Sequence, residues 1–405
     1  MPFFECVNCP KKFESNALDA RCVRCGSALF LSSSGTASPS RAEVEALPPG
    51  VWRFRGFLPE VADNHIVSIG EGGTPMLAAR RLGEEMGFKH LLIKDETRNP
   101  TGSFIDRGST VLMSLVKGRG VKRISCVTTG NLGASLAAYS AKAGVEAEIR
   151  ILPNTDHGKL YQMIAYGARV EILSRPPHKV RPESDSISIS AANPFILEGE
   201  KTTGFEIIHD LGWKKPDAIV VPVGTGGHLA MIWRSVLQLH RAGLIEVPSC
   251  KLIGVQLQAS APIVEELQAS RRMASDEKPL TELEESEPIF KRAAVESIRE
   301  SGGYGIEISA REAIQGTSLL ARTEGIFAEP ASASVVASLK LIKDSGLLDP
   351  SDAVVCVITG SGLKDTKAIK TISRTAKHVV TREDLIIKPV QMGGTKLKIL
   401  RALAD

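Results

Sequence analysis

Residues 218–233 read Ala-Ile-Val-Val-Pro-Val-Gly-Thr-Gly-Gly-His-Leu-Ala-Met-Ile-Trp. A β-branched run gives way to a glycine-rich turn and then to Leu, Ala, Met, Ile and Trp. The order is therefore strand, tight turn, helix. The same order recurs at Arg123–Val127 followed by Thr128-Thr129-Gly130-Asn131-Leu132-Gly133, and at Ala353–Ile358 followed by Thr359-Gly360-Ser361-Gly362. Further short runs at Leu91–Lys94, Glu148–Leu152, Val170–Leu173 and Leu252–Gln256 alternate with Ala- and Leu-rich helical stretches. Strands alternating with helices predict an α/β fold built on open, parallel sheets. In such sheets ligands bind outside the carboxyl ends of the strands, where these three glycine loops lie. Gly224, Thr225, Gly226, Gly227 and His228 open a helix and suit a phosphate, because consecutive backbone N–H groups face outward there. No Gly-Lys-Ser/Thr follows, so this is not a nucleotide P-loop.

The chain has 405 residues, enough for two or three domains at ~150 residues each. Fifty basic and 46 acidic residues leave a net charge of +4 with no basic stripe, which excludes a nucleic-acid-binding surface as the main reading. No apolar run approaches the ~18 residues of a membrane span, and the start Met-Pro-Phe-Phe-Glu-Cys lacks a basic, apolar leader; the expected compartment is the cytoplasm.

Four of the seven cysteines fall in two C-x-x-C pairs, Cys6/Cys9 and Cys22/Cys25, separated by twelve residues. Four thiolates at this spacing suit tetrahedral zinc, which would stabilise a segment too short to bury a core of its own. Residues 1–30 are expected to form a structural zinc ribbon, and the Ser-, Gly- and Pro-rich stretch within 31–47 a flexible linker. Cys126, Cys250 and Cys356 sit in or beside apolar runs and read as core.

The segment Lys94-Asp95-Glu96…Asn99-Pro100-Thr101-Gly102-Ser103-Phe104, continuing to Asp106-Arg107-Gly108, resembles the cofactor-lysine motif of threonine synthases among the fold type II pyridoxal-phosphate enzymes. Gly70-Glu71-Gly72-Gly73-Thr74-Pro75, the Thr-Gly-Asn loop, Tyr166-Gly167-Ala168, Asn193-Pro194, Glu198-Gly199, Glu329-Pro330-Ala331-Ser332-Ala333 and Thr359-Gly360 agree in order, as do the C-x-x-C ribbon and Val51-Trp52-Arg53-Phe54. The resemblance implies a tryptophan synthase β-like fold with two open parallel-sheet subdomains. A large cofactor-binding domain would take residues 48–106 and 196–405, and a small substrate-side domain 107–195. It implies pyridoxal 5′-phosphate held non-covalently by Phe104, Asn131, Gly224–His228 and Thr359. Ser103, Thr128, Thr129 and Gly130 would take the substrate carboxylate. A homodimer is the assembly typical of the family.

The family motif reads Ser-Phe-Lys-Asp-Arg; this chain reads Ser103-Phe104-Ile105-Asp106-Arg107. The lysine that forms the Schiff base and shuttles protons is replaced by a side chain with no nitrogen, proton or charge. Residues 174–188, with three prolines, read as a loop where the family has a helix, and the acidic run 275–286 replaces a segment near the site. Two readings stand. One is a threonine synthase-like lyase, converting O-phosphohomoserine and water to threonine and phosphate, impaired at Ile105. The other is an inactive relative that binds pyridoxal phosphate, or an amino-acid or phosphate ligand, as a sensor or partner subunit.

Overall fold

The computed structural model describes residues 3–32, 38–174, 186–268 and 287–365. The acidic run 275–286 and most of the proline-rich stretch lie outside them. Three short strands, β1 (Phe3–Cys6), β2 (Lys12–Glu14) and β3 (Leu29–Leu31), form an antiparallel sheet with β1 central. The rest of the chain supplies β4 (Met76–Ala78), β5 (His90–Asp95), β6 (Arg123–Thr128), β7 (Glu146–Ile151), β8 (Arg169–Ile172), β9 (Ser186–Ile189), β10 (Ala218–Pro222), β11 (Lys251–Leu257), β12 (Tyr304–Ile308) and β13 (Ala353–Ile358). They form two sheets, ordered β12-β11-β10-β13-β5-β4 and β8-β7-β6-β9. Every pair is parallel except β4 with β5.

The larger sheet follows from its two central runs. Along β10 and β13 alternate residues face opposite sides. Val220, Val354 and Cys356 pack with Val335, Val336 and Leu339 of the helix Pro330–Asp344. Ile219, Val221 and Val355 pack with Leu229, Ile232 and Val236 of the helix Gly227–Arg241. Both faces are covered, which is why these strands read as unbroken apolar runs. In the smaller sheet Ile124, Cys126, Ile149 and Ile151 meet Leu112 and Val116 of the helix Asp106–Gly118, and Leu136 and Tyr139 of the helix Asn131–Ala143.

All seven strand-like runs are strands, with ends shifted by no more than two residues. Two expectations are corrected. The end of the proline-rich stretch is not loop: Ser186–Ile189 pairs in parallel with β6. Part of the expected linker is a helix, Arg41–Glu45, because Ser40 and Glu43 form a reciprocal capping box and Val44 is buried.

The amino-terminal sheet shares its core with the body. Phe4 meets Phe195 edge-on at 5.9 Å, Phe30 stacks on Phe290 at 5.6 Å, and the Arg234 guanidinium lies 4.6 Å over the Phe30 ring. Phe30→Ala should therefore lower the stability of the whole fold by about 3 kcal/mol. Denaturant unfolding followed by tryptophan fluorescence would show a lower midpoint; an unchanged midpoint would mean the small sheet is energetically separate.

Candidate cofactor crevice

The turn Asn99–Arg107 leaves the carboxyl end of β5 and is fixed from inside. Asp106 accepts from Thr101 N and Thr101 Oγ1, both at 2.7 Å, and from Ser135 Oγ at 2.6 Å. The Arg107 guanidinium, fully buried, donates to Glu96 through Nε at 2.6 Å and Nη2 at 2.8 Å, to Glu206 at 2.8 and 2.6 Å, to Thr74 Oγ1 at 2.9 Å and to Thr202 Oγ1 at 3.0 Å. Lys94 Nζ adds ion pairs to Glu206 and Asp210, both at 2.9 Å. Burial raises the Glu206 carboxyl, but the charges of Arg107 and Lys94 outweigh it and hold the group well below its ordinary value.

This frame presents Ser103, Phe104 and Ile105 to the third glycine loop. Ser103 bridges Gly360, and Phe104 N donates to Thr359 O at 3.0 Å. The Thr359 hydroxyl lies 2.6 Å from Ser332 Oγ, which also accepts from Gly360 N at 2.6 Å. The Phe104 ring stacks on the His228 imidazole at 4.1 Å and 21°. His228 is in turn 3.1 Å from Thr203 Oγ1, and burial pushes its pKa down to about 3, so the ring is neutral across the physiological range. Ile105 caps the helix Asp106–Gly118 and is buried in the apolar cluster that includes Leu132.

The first glycine loop approaches from the small sheet. Asn131 Nδ2 donates to Glu329 Oε1 at 3.1 Å, and Glu329 N donates to Gly360 O at 3.0 Å. Gly130 N donates to Thr128 Oγ1 at 3.1 Å, while Thr129 is exposed. The crevice thus gathers Ser103, Phe104, Ile105, Asn131, His228 and Thr359, with Thr128 and Gly130 on its small-sheet side. Sequence reading gave no role to Glu329 or Lys159, which join the loops: Lys159 Nζ lies 3.8 Å from Glu329 Oε2. Glu329 was visible only as part of a motif. Lys159 stands in the helix His157–Ala165 beyond β7, so the rule on strand carboxyl ends could have found it. Lys364, also buried, donates to Thr101 O at 2.7 Å and to Gln162 Oε1 at 3.1 Å; burial pushes its pKa down to about 8.

The loop after β10 has the geometry to take an anion such as a phosphate. Gly226 has φ +87°, and a Cβ there would stand 3.0 Å from Ala294 Cβ and 3.1 Å from Phe290 O; a Cβ on Gly227 would stand 2.9 Å from Leu197 Cδ2. The backbone N–H groups of Gly224, Gly226 and His228 find no acceptor among the described residues, as expected where a helix begins. Among buried side-chain atoms, His228 Nδ1 and Asn131 Oδ1 lack partners. Both lie at the crevice, beside its glycine loops.

In the amino-terminal segment, the Sγ atoms of Cys6, Cys9, Cys22 and Cys25 lie within 4.8 Å of one another. Three of the separations are 3.5, 3.7 and 3.7 Å. Tetrahedral zinc with bonds of about 2.3 Å places sulfurs ~3.8 Å apart, so the cluster has the geometry to hold such an ion. All seven cysteines are free thiols.

The fold and the crevice are those of a pyridoxal-phosphate-dependent enzyme. The family model described as "Pyridoxal-phosphate dependent enzyme" matches residues 67–360, and the chain belongs to this family. Within it the chain is threonine synthase-like. Threonine synthase of Methanocaldococcus jannaschii is 37% identical over 383 residues, 90% of this chain and 93% of that protein. That of Methanosarcina acetivorans is 34% identical, with 91% and 94% covered. Among solved structures, maize serine racemase superposes with a TM-score of 0.61 at 16% identity, covering 74% of this chain and 92% of its own. Processed threonine deaminase isoform 2 of Solanum lycopersicum gives 0.61 at 16%, covering 82% and 96%. At that identity the two structures speak for the fold alone. No helix among the described residues is long and apolar enough to cross a membrane.

Glu206→Gln should destabilise the fold by about 3–5 kcal/mol at neutral pH, because Arg107 and Lys94 would be left buried and under-compensated. Glu206 has a depressed folded pKa, so its contribution is complete above the unfolded carboxyl pKa of ~4.3 and fades as pH falls through the lower folded value. Urea unfolding at several pH values should show the gap between wild type and variant narrowing below about pH 4. A gap that widened in acid would contradict the assignment.

Proposed function

We propose that this chain is a threonine synthase-like lyase scaffold that holds pyridoxal 5′-phosphate non-covalently in the crevice, and that its turnover of O-phosphohomoserine to threonine and phosphate is impaired because Ile105 stands where the family carries its lysine. The observation that carries this reading is the contrast within one turn. Ser103, Phe104, Asp106 and Arg107 are bound into the crevice, while the side chain between them is aliphatic and buried.

Gly224–His228 would hold the phosphate with backbone N–H groups and the His228 ring, and Asn131 and Thr359 would orient the pyridine. Ser103 and Thr128–Gly130 would take the substrate carboxylate. Bound pyridoxal phosphate supplies an electron sink for carbanion character at the substrate carbons. No group at position 105 can take or return a proton there, and such proton transfer is typically worth about 10²–10⁴-fold.

An inactive ligand-binding protein is the second reading. The same Ile105 favours it, and its ligand would be pyridoxal phosphate, an amino acid or a phosphate compound. Zinc is the proposed ion of the cysteine cluster, which with its free thiols agrees with a cytoplasmic setting. A homodimer is the proposed assembly.

Ile105→Lys decides between the two readings. An impaired lyase should gain at least about 10²-fold in phosphate release from O-phosphohomoserine; no gain, with the cofactor bound, favours the ligand-binding protein. Elemental analysis of freshly reduced protein should find about one zinc per chain, and protein without zinc that keeps its stability would remove the metal.

A further inference from the structure

Among the described residues four lysines are buried: Lys94, Lys159, Lys201 and Lys364. Lys94 and Lys201 are committed away from the crevice, and Lys364, beside the turn Asn99–Arg107, has its amine engaged by that turn and Gln162. Lys94 is paired with Glu206 and Asp210, Lys201 with Glu198 and the carbonyl of Phe57, and Lys364 points to Thr101 O and Gln162 Oε1. Lys159 differs. Its stem crosses the face of Gly130 so closely that a methyl group there would collide with Lys159 Cδ, and its Nζ lies 3.3 Å from where that methyl would stand. Gly130 is bonded to Asn131, whose amide donates to Glu329 at 3.1 Å. The Lys159 amine, the Asn131 amide and the Glu329 carboxylate therefore share one spot at the start of the helix Asn131–Ala143. Glu329 also abuts Gly360, which bridges Ser103 in the turn carrying Ile105.

We propose that Lys159, lying over Gly130 beside Asn131 and Glu329, is the amine that captures the aldehyde of pyridoxal phosphate in this chain. The inference rests on the reading that the crevice holds pyridoxal phosphate, and it replaces the non-covalent retention of that reading with a bond to Lys159. On the family resemblance, that reading sets Asn131 against the phenolic oxygen, and the aldehyde carbon is ortho to that oxygen on the ring. The amine beside Asn131 is thus the buried lysine placed to reach it. The Lys159 ammonium gives a proton to the Glu329 carboxylate. Its nitrogen then bonds the aldehyde carbon, the aldehyde oxygen leaves as water with the two remaining amine protons, and a carbon–nitrogen double bond is left. No oxidant or reductant is consumed. Lys159 approaches from the small-sheet side, whereas Ile105 belongs to the turn after β5. Capture at Lys159 thus retains the cofactor without restoring the proton transfer missing at position 105.

The test is borohydride reduction of the full chain with stoichiometric pyridoxal 5′-phosphate, followed by peptide mass mapping, beside equilibrium binding of pyridoxal 5′-phosphate and of pyridoxine 5′-phosphate, which has no aldehyde. A phosphopyridoxyl group on Lys159, suppressed by excess pyridoxine 5′-phosphate, is the expected result. The aldehyde should bind at least about tenfold more tightly than the alcohol in wild type, and Lys159→Arg, which keeps the charge facing Glu329, should abolish that preference. A label on Lys364 or any other lysine, or no label while both compounds bind, overturns the proposal and leaves the cofactor reading standing. Binding of neither compound overturns that reading and the proposal with it.

Discussion

One guanidinium holds the crevice together. Arg107 is the second residue of the helix Asp106–Gly118, and its donors reach two carboxylates and two hydroxyls from three separate segments of the chain. A buried cation of this kind is tolerated only with its partners complete, and Glu96 and Glu206 supply the balancing charge while Lys94 ties Glu206 further to β5. Because Arg107 lies two residues beyond Ile105, the network fixes where the turn 103–105 can stand. Close packing reinforces it: a side chain on Gly199 would collide with the carbonyl of Arg107, and one on Gly108 would stand 2.6 Å from Ile196 Cγ2.

On this frame the two sheets present their strand ends to each other through polar contacts that have chemistry to do. Asn131, Glu329, Gly360, Ser103 and Thr359 form a continuous path from the small sheet to the large one, and the stacked Phe104 and His228 close it toward the phosphate cradle. In the proposed reading the neutral His228 ring and the glycines of its loop would hold the phosphate by N–H donors, without a cation of their own. Against this, Ile105 packs as an ordinary core side chain. In the proposed reading binding and chemistry have come apart at one residue, because the cradle depends on backbone geometry that Arg107 and the glycines preserve, whereas proton transfer depends on a single amine.

Much of the fold was legible because buried parallel strands write themselves as apolar runs, as Ala218–Val223 and Ala353–Ile358 do. The strands that escaped notice, β4, β9 and β12, are edge strands: Ser-Ile-Ser-Ile and Tyr-Gly-Ile-Glu-Ile bury one side at most and carry weak patterns. The glycine loops were legible because ligand sites follow strand ends, and the turn around Ser103 because it matches a family motif. Lys159 was not, since a lone lysine in a helix looks like a solvated one until the fold lays it across Gly130. The docking of the amino-terminal sheet was equally hidden: Phe4 and Phe30 find Phe195 and Phe290 far along the chain, contacts that no local pattern encodes.

The claim on which the account turns is that this crevice is still built for the phosphorylated cofactor. Equilibrium dialysis of pyridoxal 5′-phosphate against the purified full chain, with Gly226→Val beside it, tests this most directly. Saturable binding of about one molecule per chain, displaced by inorganic phosphate and lost in the variant, which should remain folded by circular dichroism with a lower melting temperature because of the strain at φ +87°, is the predicted result. Absence of saturable binding to the wild-type chain, or binding indifferent to position 226, would contradict it.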